Sequence, residues 1–167
     1  MFFILSIAPL FAIVYQDFKD REFSWYWLVI LFVLSIWGGW AFFEMKLWTN
    51  ILLNLAFLLF LYGSLILYIS LKEKKLTNIF DVHIGWGDPL FMLAVLPVFS
   101  PLNFIFFVVL SSFFALLVGL TIRWVKKENS IPLAGVCSLL MLLCFFTGYI
   151  YGDERLMNFQ FKTLLFD

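Results

Sequence analysis

Charged residues are absent from five long stretches of the chain, residues 1–16, 25–43, 47–71, 89–122 and 130–152. A helix that crosses a bilayer uses about 20 consecutive apolar residues. The stretch 89–122 is too long for one such helix, and it contains Pro97, Ser100, Pro101 and Asn103, residue types that end helices or open turns. It therefore divides in two. The pattern predicts six helices, over residues 2–15, 25–43, 51–70, 89–99, 102–122 and 131–151. The first lacks the basic start and small-residue cleavage site of a secretory signal, so it reads as a retained helix.

Composition agrees with this pattern. Of 167 residues, 64% are hydrophobic and 13% charged, whereas soluble domains carry roughly 45–50% apolar and about 25% charged residues. Six spans use about 120 residues, which leaves no room for a separate soluble domain. The expected architecture is an all-α membrane protein, with one polytopic domain over residues 1–152 and a short interfacial tail over 153–167. A formal net charge of zero argues against a nucleic-acid partner. Cys137 and Cys144 share one apolar run far from any Cys/His cluster, so they read as buried free thiols. No metal or other cofactor is expected. The tryptophans, such as Trp25, Trp27, Trp37 and Trp40, read as lipid-facing or interfacial anchors.

The basic residues predict an orientation. The connections after the first, third and fifth helices carry Lys19, Arg21, Lys72, Lys74, Lys75, Arg123, Lys126 and Lys127, against Lys46, Arg155 and Lys162 on the other side. Lys and Arg concentrate in the cytoplasm, which puts both termini on the non-cytoplasmic side.

Two acids stand out against this background. Asp17 directly follows the first predicted helix and Asp88 directly precedes the fourth. At 1.5 Å per residue, each lies about 21–22 Å from the far end of its helix, short of a hydrocarbon layer about 30 Å thick. Both carboxylates are thus expected at similar membrane depth, where ionisable groups usually face a cavity or a partner. In the segment Gly85-Trp86-Gly87-Asp88-Pro89, the two glycines suit a sharp bend or close backbone approach, and Pro89 suits a first helical turn. Asp88 is then placed as an N-cap, and capping alone is one sufficient role for it. Asp17 likewise reads as one more charge in a solvated connector, if its partner is ignored.

Taken together, these residues resemble the membrane-embedded aspartyl peptidases of the GxGD type, specifically the type IV prepilin and archaeal preflagellin leader peptidases. Gly85-Trp86-Gly87-Asp88 matches the Gly-x-Gly-Asp motif, with Gly85 and Gly87 as its supporting glycines. The segment from Tyr15 to Phe23, with Asp17 followed by Lys19 and Arg21, is similar to the first motif, and Ile131-Pro132-Leu133-Ala134 to the Ile-Pro segment that opens the last helix. Pro89 stands where the family usually has Lys, and Phe23 and Ser24 where it commonly has Ile-Pro. The paired cysteines of the zinc-binding segment linked to N-methylation are absent, so the likeness is to short members that only cleave.

That resemblance implies a catalytic pair, Asp17 and Asp88, and a pilin-like substrate with a basic N-terminal leader ending in Gly before an apolar helix. It also implies a multi-pass protein of a prokaryotic inner or cytoplasmic membrane, with no oligomeric state specified. Two adjacent carboxylates share one proton. The ionised member then activates water, and the protonated one hydrogen-bonds the scissile carbonyl. Asp20, Glu22 and Asp81 read as solvated loop charges that also suit a basic leader, and His83 needs no function. The rival readings are a noncatalytic assembly factor or inactive homologue, an intramembrane protease with another substrate, and a small proton-relaying transporter. The last is disfavoured by the lack of repeated halves.

Overall fold

The computed structural model describes residues 2–20, 24–73, 85–126 and 133–151. Among these, the chain forms six α-helices: α1 (Phe2–Asp20), α2 (Trp25–Phe43), α3 (Leu47–Glu73), α4 (Gly87–Val95), α5 (Pro101–Lys126) and α6 (Leu133–Tyr151). Short 3-10 turns follow α2, at Glu44–Lys46, and α4, at Leu96–Val98. The stretches Trp25–Lys72 and Pro101–Trp124 are long and apolar enough to cross a bilayer. The first is broken at Glu44, whose φ of 45° reverses the chain between α2 and α3.

α1, α2, α3 and α5 each bury one stripe at helical spacing. In α1 it runs Ser6, Pro9–Leu10, Ile13 and Asp17, in α2 Leu28, Leu31, Ser35 and Gly38–Gly39, and in α5 Phe104, Phe107–Val108, Ser111 and Ala115. In α3 the fully buried members are Leu47, Asn54 and Leu58, with Tyr62 half-buried one turn further on. The opposite faces carry large apolar side chains in the open, among them Phe60 at 75% and Trp25 at 73% exposure. An aqueous protein rarely shows so extensive an apolar surface.

α1 packs against α2 and, most extensively, α6; α4 packs against α2 and α6; and α5 packs against α3 and α6. Specific contacts show which helix ends share one end of the bundle. The Ser24 N–H donates to Gln16 Oε1 at 3.0 Å, tying the start of α2 to the end of α1. The first turn of α6 meets both the end of α1 and the start of α4. At the other end, Gly39 of α2 lies against the Pro97 carbonyl and the Leu47 side chain, with no space for a Cβ. Lys19, Lys72, Arg123 and Lys126 therefore fall toward the Asp17–Asp88 end, and Lys46 lies at the other.

Two expectations about the helix limits are corrected. Asp17 does not follow α1 but lies within it, continuing the buried stripe one turn beyond Ile13. Asp88 is not an N-cap: Trp86 holds that position with no side-chain cap bond, and Asp88 is the second residue of α4. Its carboxylate is taken up by another helix instead. The cysteines also differ from expectation, because Cys137 is buried but Cys144 is exposed. α6 is enclosed on all sides only at its start, where 134–138 are all buried, and farther on its packed face narrows to Met141 and Phe145.

Candidate active site

The site is assembled by the first turn of α6. The backbone N–H of Gly135 donates to Asp17 Oδ2 at 2.6 Å, and the preceding N–H, of Ala134, donates to Asp88 Oδ1 at 3.1 Å. The first N–H groups of a helix have no partner within it, so two of α6's orphan donors are satisfied by carboxylates 118 and 46 residues away in sequence. The partial positive charge of the helix N-terminus adds to the attraction. Consecutive amide nitrogens are about 3 Å apart, so the two accepting oxygens lie within about 9 Å of each other at most. Asp17 and Asp88 are close enough to perturb one another electrostatically.

Crowding fixes Asp17 further. A Cβ placed on Gly135 would stand 2.9 Å from Asp17 Oδ2 and 2.9 Å from two ring carbons of Phe18. That is closer than real Cβ atoms come, so the absence of a side chain at 135 is what lets α1 approach α6 this closely. Asp17 is buried at 6% exposure, whereas Asp88 is half-buried. Tyr62 of α3 and Cys137 of α6 both lie within electrostatic reach of Asp88.

Of the two uses expected for the motif glycines, Gly85 shows the bend and not the close approach. Gly85 is exposed and a Cβ there would meet nothing within 4 Å, so no close approach requires a glycine at this position. Its carbonyl accepts the Asp88 N–H at 3.2 Å, which forms the turn into α4. Gly87 is the first residue of α4. Ile131 and Pro132 lie outside the described residues, as do Arg21, Glu22, Asp81, His83 and the tail from 152 onward. No group of three or more His, Cys, Asp or Glu that could hold a metal occurs among the described residues.

Sequence reasoning missed the donors themselves. Ala134 was legible only as part of the Ile-Pro segment, and Gly135 immediately follows it. Backbone amides leave no trace in residue identity. A glycine next to the start of an apolar helix was the one available signal. Comparison of the chain with protein-family models, with curated proteins and with solved structures gave no match.

Proposed function

We propose that the protein is a membrane-embedded aspartic endopeptidase that removes the basic leader of a prepilin-like or preflagellin-like substrate. The observation that carries this reading is the convergence of Asp17 and Asp88 on two consecutive amides of α6. Two ionisable acids from distant helices are held side by side among apolar segments, where an acid without a task is costly.

In this reading the six helices form a bundle in a prokaryotic inner or cytoplasmic membrane, with both termini on the non-cytoplasmic side. The end bearing Lys19, Lys72, Arg123 and Lys126 then faces the cytoplasm. α4 is too short to cross the layer, so its N-terminal carboxylate sits below the cytoplasmic boundary and the substrate's leader reaches it from that side.

The pair works by general acid–base catalysis. In this mechanism the two carboxylates hold one proton between them. The ionised carboxylate takes a proton from a water molecule as its oxygen attacks the scissile carbonyl carbon, while the protonated carboxylate donates to the carbonyl oxygen. Collapse of the tetrahedral intermediate then breaks the C–N bond, and the amine leaves with a proton from the pair. The α6 amides hold the carboxylates during these transfers.

A second reading has its own support. A carboxylate tied to a helix N-terminus is also a structural clamp, and two such clamps would serve a noncatalytic assembly factor equally well. The test is incubation in proteoliposomes with a peptide bearing a basic leader, a Gly and an apolar helix. Wild type is compared with Asp17→Ala and Asp88→Ala. The peptidase reading requires a single cut after the leader that each substitution abolishes. Cleavage that persists in both variants refutes the pair.

A further inference from the structure

The break between α4 and α5 creates a problem in backbone chemistry. Regular helical bonding stops here: Phe99 has an extended backbone, and the Leu96 carbonyl accepts the Phe99 N–H at 3.4 Å, a long hydrogen bond. The break is also buried, with Leu96, Pro97, Val98 and Phe99 all enclosed. Unmet backbone groups are costly wherever water is excluded. Asn54 answers this from α3. Its Nδ2 donates to the Leu96 carbonyl at 3.0 Å and to the Phe99 carbonyl at 2.9 Å.

The choice of residue is informative. Asn54 is 1% exposed, and its Oδ1 has no hydrogen-bond partner. The site therefore uses the side chain as a double donor and tolerates an idle acceptor. Of the uncharged side chains, only the primary amides offer two N–H groups on one atom. The neighbours reinforce the same point: Phe99 stacks on Phe107 with centroids 4.8 Å apart, and Gly39 fits against the Pro97 carbonyl.

These bonds set the height at which α4 ends, and α4 is a rigid rod of known length. Asp88 is eight residues before Leu96, about 12 Å by helical rise. Fixing the break fixes where the carboxylate arrives. We propose that Asn54 is a positioning residue for Asp88: by anchoring the Leu96–Phe99 break to α3, it holds α4 at the height where Asp88 meets the Ala134 amide beside Asp17. This role rests on the peptidase reading only for its effect on catalysis; the anchoring itself has an independent readout.

The experiment uses the full chain in detergent micelles or proteoliposomes, with Asn54→Asp as the near-isosteric variant and Asn54→Gln as the conservative one. Amide hydrogen exchange at Ala134 and Gly135 is measured by NMR, and leader-peptide cleavage gives kcat and KM. Asn54→Asp turns the donor atom into an acceptor facing two carbonyls. It is expected to speed exchange at Ala134 by about tenfold or more while leaving Gly135, held by α1, within about twofold. It should also lower kcat by at least about tenfold, with KM within about twofold. Asn54→Gln, which retains both donors, should recover a large part of each effect. Should Asn54→Asp fail to fold, Gly39→Ala disturbs the same break from α2 and is read in the same way. Faster exchange at Ala134 in a protein that never cleaves supports the anchoring and overturns the peptidase reading alone. A folded Asn54→Asp protein with unchanged exchange at Ala134 overturns the proposal.

Discussion

The two ends of α4 are held by opposite chemistry. At Leu96–Phe99 a side-chain amide donates to backbone carbonyls, and at Asp88 a side-chain carboxylate accepts from a backbone amide. The first arrangement is neutral and donates to two carbonyls of the break, of which that of Leu96 also accepts a long bond from the Phe99 N–H. The second engages an acid, and a second acid from α1 sits on the very next amide. A side chain bonds the backbone at both ends, but only one end can gain or lose protons. Donation to the two carbonyls accounts for the neutral amide at the far end. At the near end the bonding leaves two ionisable groups together in a setting where neutral side chains would have served.

Removing a carboxylate should separate the two ends most sharply. Asp17→Ala or Asp88→Ala is expected to lower cleavage by about 10²–10⁴-fold, the usual worth of a positioned acid or base, measured as initial rates on the leader peptide. The next largest effect falls on the packing behind one of them. Gly135→Ala pushes a Cβ against Asp17 and Phe18, so cleavage should fall by tenfold or more, on the order of 1–3 kcal/mol of overpacking. A folded variant with wild-type activity would show that the close approach of α1 and α6 is dispensable.

At the far end, Gly39→Ala meets the Pro97 carbonyl and Leu47. Stability in a denaturant titration should fall by about 1–3 kcal/mol, and any loss of cleavage should come through displacement of α4. The pH profile distinguishes the ends without mutation. Because the pair needs one proton, cleavage should pass through a maximum, falling at low pH as the second carboxylate protonates and at high pH as the shared proton leaves. The Asn54 anchor contributes no limb, since it does not titrate. Smallest of all is Gly63→Ala on the exposed face of α3, where a Cβ meets nothing within 4 Å. It should shift stability by less than about 1 kcal/mol and leave cleavage unchanged.

Much of this layout was legible in the chain. The uncharged runs gave all six helices, and the Trp25–Phe43 limits coincide with those expected. Pro97, Ser100 and Pro101 marked the break because proline chemistry is local. Asp17 was misplaced beyond the end of α1, because a helix carrying its own polar site looks like a connector when charge alone sets the boundary. Its spacing from Ile13 was the better guide. Asn54 was passed over inside a long apolar run, although an amide at that depth implies a partner. The α6 amides were the least legible, since every residue but proline carries one and only tertiary structure selects two of them.

The central claim is that Asp17 and Asp88 are there for proton transfer as well as for holding helices together. The most direct measurement is leader-peptide cleavage by Asp17→Asn and Asp88→Asn, each checked for folding by thermal denaturation. Asparagine keeps an Oδ acceptor for the α6 amides but takes no part in acid–base exchange. Folded proteins that have lost cleavage by 10²-fold or more, on the order expected for an acid or base, are the predicted result. Folded proteins that cleave at the wild-type rate would reduce the pair to a clamp.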